Sequence, residues 1–118
     1  MRESFIEEKL TKAVKQKGGL CWKFTSPGTA GVPDRIILMP MGRFAFVEVK
    51  APGEKPRPLQ LSRHRLLRRL GFKVYVLDTL EDIEKIISEV KNDVVRPTKK
   101  GFSDCKKICA DYAVFYGI

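Results

Sequence analysis

Two acidic residues and a lysine stand near the ends of two apolar runs in residues 31–53, at positions Asp34, Glu48 and Lys50. The runs, residues 36–39 and 44–49, are apolar at nearly every position, as is typical of strands buried on both faces. The Pro-Met-Gly segment between them predicts a tight turn and an antiparallel hairpin. With the turn centred on Met41, Asp34 and Glu48 become cross-strand partners with Cβ atoms roughly 4.5–5.5 Å apart.

Two carboxylates opposed in this way destabilise a hairpin unless a cation lies between them. The spacing suits Mg²⁺ or Mn²⁺, with water and phosphate oxygens as further ligands. Lys50 lies two residues beyond Glu48 and projects from the same face of the strand, and the carbonyl of Val49 can reach the same ion. The pattern therefore predicts a metal-dependent site for phosphodiester hydrolysis, in which Lys50 positions the attacking water and offsets developing negative charge.

The distribution of charge favours a polyanionic partner. The chain carries a formal net charge of +9, and neutralising phosphates is an effective source of affinity for a basic protein. Residues 55–73 contain no acidic residue and seven basic ones: Lys55, Arg57, Arg63, Arg65, Arg68, Arg69 and Lys73. The alternative interpretation is that this run is a solvated helix face, which is what most charged runs are. Because all seven charges have one sign, we interpret the run as a nucleic-acid surface.

The elements that must position these residues follow the order α-β-β-β-α-β-α. Residues 3–17 predict an amphipathic helix with Ile6, Leu10, Ala13 and Val14 on its apolar stripe. A short strand at 20–24 and a loop of small residues at 25–31 precede the hairpin. We interpret Trp22 and Phe24 as core residues.

A second helix is expected over residues 59–70, followed by a buried strand at 73–77 and a last helix over 79–90. The second helix is expected to turn Leu61, Leu66, Leu67 and Leu70 inward, and the last helix Leu80, Ile83, Ile86 and Ile87. A strand, a crossover helix and another strand imply mixed pairing. The sequence thus predicts an α/β fold, a mixed β-sheet with flanking helices, over residues 1–93. Residues 94–118 are expected to form a C-terminal extension, a linker followed by a short helix.

Composition places the chain among soluble proteins of one domain. The hydrophobic fraction is 43% and the charged fraction 31%, and no apolar run approaches the ~20 residues that span a bilayer. The charged N-terminus does not resemble a secretory signal. Three cysteines, an odd number without metal-finger spacing, agree with a reducing, cytoplasmic location.

Several motifs together carry a resemblance to a known family. The segment "GVPDRIILMPMGRFAFVEVKAPGEKPRPLQ", with "KQKGGLCWKF" before it and "LGFKVYVL" after it, is similar to the PD-(D/E)xK nuclease superfamily. Within that superfamily it closely resembles the VRR-NUC family, over about residues 6–77. The resemblance implies a restriction-endonuclease-like fold. It also implies that Asp34 and Glu48 are metal ligands and that Lys50 is the catalytic lysine.

The resemblance implies two further site residues. A glutamate of the first helix maps onto Glu7, although spacing alone does not separate Glu7 from Glu8, and Glu3 and Glu8 are expected on the solvent side. Gln60 maps onto a glutamine that opens the second helix and orients the site, although local hydrogen bonds at the helix start would also explain it. His64 is expected to be a surface or phosphate-contacting residue rather than a catalytic one.

Taken together, the resemblance implies a divalent-metal-dependent DNA endonuclease, structure-specific for branched DNA such as Holliday junctions. Its ion, Mg²⁺ or Mn²⁺, would be held by Asp34, Glu48, the Val49 carbonyl and Glu7. The resemblance implies that stand-alone members look like Holliday-junction resolvases, act as homodimers and are often found in phages and mobile elements. A homodimer in the cytoplasm of a bacterial or phage-infected cell is therefore expected, with its contact on helix one or on an apolar stripe of the C-terminal extension formed by Cys105, Ile108, Cys109, Tyr112 and Phe115 or Tyr116. The alternatives are a binding module without catalysis and a nuclease that acts on RNA. The DNA-binding residues are expected to be Lys55, Arg57, Arg63, Arg65, Arg68 and Arg69.

Overall fold

A computed structural model describes residues 2–92 of the chain. Three helices and four strands occur in the predicted order. The helices are α1 (Glu3–Gln16), α2 (Pro58–Arg69) and α3 (Glu81–Lys91), and the strands are β1 (Leu20–Lys23), β2 (Arg35–Met39), β3 (Arg43–Val49) and β4 (Val74–Leu77). The predicted extension, residues 94–118, lies outside the described residues.

The four strands form one mixed sheet in the order β1-β2-β3-β4. β1 pairs with β2 and β2 with β3 in antiparallel fashion. β4 lies parallel to β3, and α2 joins these two strands. The turn between β2 and β3 is a 3₁₀ turn, Pro40–Gly42, in which Met41 has a φ of 71°. The register of the hairpin, with Met39 opposite Arg43 and Arg35 opposite Val47, confirms the prediction that the turn is centred on Met41.

One face of the sheet is closed by α1 and α3. The stripe of α1 buries Ile6, Leu10 and Val14, and α3 buries Ile83, Ile86, Ile87 and Val90. These side chains pack on Ile37, Ala45, Val47, Val49 and Leu77 of the strands in one core. Helical periodicity predicted Ile6, Leu10 and Val14 of α1 and Ile83, Ile86 and Ile87 of α3 on the inner sides, and the structure confirms them, because each helix has a single apolar side.

The other face is covered in part by α2, and here the prediction of inward leucines was wrong. His64 is the one residue that α2 buries. Of the four leucines, Leu67 is half-buried, whereas Leu61, Leu66 and Leu70 are exposed. The leucines of α2 are spread around the helix, so their positions alone did not define its inner side. Trp22, expected in the core, is 57% exposed on this face, while Phe24, Phe44, Phe46 and Phe72 form a cluster of ring contacts.

The 25–31 loop is fitted closely to α2. Gly31 has a φ of 85°, and a Cβ atom there would lie 2.9 Å from Leu59 Cγ. Only glycine allows both the positive φ and this approach. The fit fixes the direction in which the chain enters Pro33 and Asp34. None of the helices in the described part of the chain is both long and apolar enough to span a membrane.

Candidate active site

Asp34 lies directly before β2 at one end of the sheet, level with the end of β3. The backbone N–H of Val49 donates a hydrogen bond of 3.0 Å to Asp34 Oδ2. This bond confirms that the hairpin brings the Asp34 side chain beside the Glu48–Lys50 segment. It also fixes the orientation of the carboxylate, because one oxygen is tied to the backbone.

Glu48 lies on β3 with its side chain completely buried. Its Oε1 is 3.4 Å from Nε2 of His64, which is also completely buried. Its second oxygen, Oε2, has no hydrogen-bond partner among residues 2–92. A buried oxygen of this kind costs free energy unless a proton shared with Asp34 or a bound ligand satisfies it, so this atom is a candidate ligand to a cation.

The surroundings of Glu48 strongly disfavour its charged form. Burial, followed by the neighbouring Asp34 carboxylate, raises the pKa of Glu48 to about 9, and the charge of Lys50 opposes this only in part. Burial and then the Arg68 guanidinium lower the pKa of His64 below its usual value, so its imidazole is neutral at pH 7. A bound cation would reverse the balance at Glu48, because a positive charge stabilises the carboxylate.

Helix α1 brings two glutamates to the same place. Carboxylate oxygens of Glu3, Glu7 and Asp34 all lie within 4.8 Å of one another. Burial, followed by the charge of Asp34, raises the pKa of Glu3 above its usual value. Glu8, in contrast, points to solvent and pairs with Lys12 at 3.4 Å.

Glu7 is therefore the one of the Glu7–Glu8 pair that faces the predicted site, although its Oε2 also accepts a hydrogen bond of 3.3 Å from Arg35. The expectation that Glu3 faces solvent was wrong. The position of Glu3 could have been predicted from the sequence. Residues four apart lie on the same side of a helix, and Glu3 precedes Glu7 by four positions.

Lys50 follows the last residue of β3 and is half-buried. Its backbone N–H donates a 2.8 Å hydrogen bond to the Leu77 carbonyl, which fixes the chain just beyond the strand. The pKa values of Glu3 and Glu48 are raised overall, and the charge of Lys50 opposes the rise in both. The ammonium group therefore lies close enough to act on the carboxylate cluster.

Gln60 is half-buried in the first turn of α2. Its Oε1 accepts a hydrogen bond of 2.8 Å from the N–H of Arg57, the local bond that the alternative interpretation anticipated. A role of Gln60 in orienting the site remains a prediction. The expectation for His64 was wrong, because the residue lies beneath the helix against Glu48 and not on the surface.

The predicted DNA-binding residues fall into two groups. Arg63 donates to the Ala30 carbonyl at 3.0 Å and Arg68 to the Val74 carbonyl at 2.7 Å, so these two side chains hold the loop and β4 in place. The other four, Lys55, Arg57, Arg65 and Arg69, are exposed. Arg65 and Arg69 lie four residues apart on one side of α2 and next to each other.

The donor set at this end of the sheet fits a hard divalent cation. Carboxylate oxygens from Glu3, Glu7 and Asp34 converge, and Glu48 Oε2 is buried beside Asp34 without a partner. All are oxygen ligands, which suit Mg²⁺ and Mn²⁺ better than soft or imidazole-preferring metals.

Comparison with known proteins agrees with the fold. Residues 3–80 match the model of the VRR-NUC domain. A protein of Acyrthosiphon pisum secondary endosymbiont phage 1, described as "Putative nuclease p44", is 49% identical over 90 residues, which are 76% of this chain and 96% of the phage protein. A solved structure described as a VRR_NUC domain is 32% identical with a TM-score of 0.69, covering 73% of this chain and 94% of the other. The chain belongs to the VRR-NUC family of nuclease domains.

Proposed function

We propose that the protein is a divalent-metal-dependent endodeoxyribonuclease that hydrolyses phosphodiester bonds. The observation that carries the proposal is the buried, unpartnered Oε2 of Glu48 beside Asp34. A protein gains no stability from such an atom, whereas a metal site needs a carboxylate oxygen that nothing else binds.

Asp34, Glu48 Oε2 and the Val49 carbonyl would hold Mg²⁺ or Mn²⁺, with Glu7 and Glu3 as further carboxylates. The Val49 carbonyl is included because the N–H of this strand residue points to Asp34, and an extended residue directs its N–H and C=O to the same side. When bound, such an ion lowers the pKa of a coordinated water and neutralises charge that develops on the phosphate.

Lys50 contributes the remaining positive charge. Its position beyond Glu48 on the same side of the chain allows the ammonium group to donate to the attacking water or to a phosphate oxygen. A preorganised charge of this kind stabilises the transition state more than the ground state. Gln60, at the start of α2, would orient the phosphate or the water from the other side.

The exposed basic residues Lys55, Arg57, Arg65 and Arg69 would bind the phosphates of the duplex, together with the 25–31 loop. Arg63 and Arg68 would act indirectly, because their guanidinium groups bind carbonyls of the protein. We propose branched DNA, such as a Holliday junction, as the preferred substrate. The setting would be repair, recombination or packaging in the cytoplasm of a bacterial or phage-infected cell.

We also propose that the protein acts as a homodimer, because one small domain reaches one strand and a junction requires two cuts. The stripe of α1 is buried within its own domain, so it offers no apolar contact to a partner. Leu59, Leu66 and Leu70 lie along the side of α2 opposite His64 and are 47%, 45% and 67% exposed. We therefore place the dimer contact on this leucine stripe of α2.

The decisive experiment is cleavage of a labelled four-way junction in Mg²⁺, Mn²⁺ or EDTA, with a matched linear duplex and a structured RNA as competing substrates. The Lys50→Ala variant tests the site, and Glu8→Gln, which removes an exposed charge from the same helix that carries Glu7, is the control. We expect cutting of the junction that requires metal and Lys50 but not Glu8. Junction binding without cutting in either metal would identify a binding module, and preferential cutting of the RNA would identify a ribonuclease.

A further inference from the structure

The buried pair of His64 and Glu48 is not explained by metal binding alone. His64 is the one residue of α2 that is buried, at a position where a leucine would pack without any polar atom to satisfy. Its Nδ1 has no hydrogen-bond partner among the described residues. Burying a polar group in this way is unfavourable unless one of its atoms does something that an apolar side chain cannot do.

The geometry shows which atom that is. Nε2 of His64 lies 3.4 Å from Oε1 of Glu48, while Oε2 of the same carboxylate is left without a partner. A carboxylate held at one oxygen by a donor on a helix can no longer rotate freely about its last torsion. Oε2 is then the oxygen that remains available to a ligand.

We infer that His64 is a positioning residue, whose Nε2–H holds Glu48 Oε1 so that Oε2 faces the divalent ion. The inference rests on the proposed function, because it assigns a role relative to the metal. Hydrogen bonds to ligating carboxylates are typical of protein metal sites, and their loss usually weakens metal binding about 10–100-fold. The distance of 3.4 Å is long for a hydrogen bond, and ionisation of Glu48 would shorten it, because charged acceptors bind donors more closely.

When Glu48 binds the ion as a carboxylate, its oxygens only accept hydrogen bonds, so Nε2 of His64 carries the proton in this contact. The alternative is that His64 only fills space beneath α2, in which case its chemistry is irrelevant to the metal.

Three substitutions in the full chain separate these two roles. His64→Gln places an amide N–H near the position of Nε2, whereas His64→Asn has the same amide but reaches only as far as Nδ1. His64→Leu fills the volume and removes the donor. The measurement is the affinity for Mn²⁺ alone, by isothermal titration calorimetry without DNA, with the melting temperature of each metal-free variant recorded beside it.

We expect Mn²⁺ binding to be about 10–100-fold weaker in His64→Asn and His64→Leu, and within about threefold of wild type in His64→Gln. His64→Leu is expected to melt no lower than wild type. Equal affinities in all four proteins, or a loss in His64→Gln as large as in His64→Asn, would overturn the inference while leaving the metal site in place. If wild type binds no Mn²⁺, the proposed function itself fails, and Glu48→Gln, expected to abolish binding, would then not differ from wild type.

Discussion

The two faces of the sheet are built in different ways. On the face covered by α1 and α3, the side chains between helices and strands are apolar, and most are completely buried. On the face covered by α2, a glutamate and a histidine are buried together, four phenylalanine rings are in contact, and leucines of the helix are exposed. The same sheet therefore separates a face that stabilises the fold from a face that carries unfavourable features.

The contrast agrees with the proposed placement of the active site on the α2 face. Polar burial and exposed apolar side chains both lower stability or solubility, and a domain tolerates them where they serve a site or a partner. On the α2 face, the polar burial lies at the carboxylate cluster and the exposed leucines lie on the opposite side of the helix. Substitutions on the two faces should thus have opposite consequences for activity and for stability.

The largest effect is expected from Glu48→Gln on the α2 face. Glutamine keeps the volume of glutamate and can still contact His64, but it offers no anionic oxygen to the metal. We expect metal-dependent cleavage to fall by at least about 100-fold, comparable to the loss of one key electrostatic group from an active site. The midpoint of urea unfolding without metal should be unchanged or higher. Activity within about twofold of wild type would show that Glu48 is not a ligand.

The opposite result, a loss of stability with unchanged activity, is expected on the face covered by α1 and α3. Ile87→Ala removes a buried side chain of α3, 1% exposed, and should lower the free energy of unfolding by about 2–5 kcal/mol because it leaves a cavity. Cleavage per folded molecule should stay the same, since α3 supplies no residue of the site. Leu70→Ala, at the end of α2 where the side chain is 67% exposed, is the control and should change stability by no more than about 0.5 kcal/mol. A large loss from Leu70→Ala would mean that this end of the leucine stripe is already packed in the monomer.

The pH dependence of stability should come mainly from the α2 face, because the buried carboxyl group of Glu48 lies there. Without metal, Glu48 keeps its proton in the folded chain up to about pH 9, but in the unfolded chain it ionises near its usual value. The folded state holds the extra proton between these limits, so stability should fall as the pH rises, by at most about 1.4 kcal/mol per pH unit. His64 contributes only below about pH 7, because above its unfolded pKa neither state binds the proton.

Urea unfolding in EDTA between pH 7.5 and pH 9 measures this slope. Glu48→Gln should remove most of it, and Glu8→Gln, an exposed acid on α1, should not. A slope that persists in Glu48→Gln would assign it to another group.

The comparison also explains what the sequence could predict. The hairpin register followed from the one short turn segment, Pro-Met-Gly, that separates two apolar runs, so the pairing of Asp34 with the Glu48 region was predictable. The stripes of α1 and α3 were predictable because each has one apolar side.

The residues that were misplaced lie on or beside the α2 face. The leucines of α2 occur on several sides of the helix, and nothing in their spacing shows that His64 is the residue that meets Glu48. The interpretation of Trp22 as core assumed that both faces of β1 are covered, although residues 2–92 cover only one of them. Local periodicity does not contain this information, because it depends on which elements pack together.

The smallest effect on folding is expected from Leu66→Glu. This substitution is also the most direct test of the dimer contact proposed on the leucine stripe of α2. The side chain is 45% exposed in the middle of the leucine stripe, so a charge there should alter stability by no more than about 0.5 kcal/mol. In a homodimer joined through α2, however, it would bring two like charges into an apolar contact. We expect sedimentation velocity to show a monomer, and junctions to be nicked once rather than cut on two strands.

Leu20→Glu is the matched control, because Leu20 is 48% exposed on β1, at the far edge of the sheet from α2. It introduces the same charge and should leave the dimer intact. If Leu20→Glu also yields monomers, the contact extends across the open sheet face, where Trp22 lies. If Leu66→Glu stays dimeric, the leucine stripe of α2 is not the dimer contact.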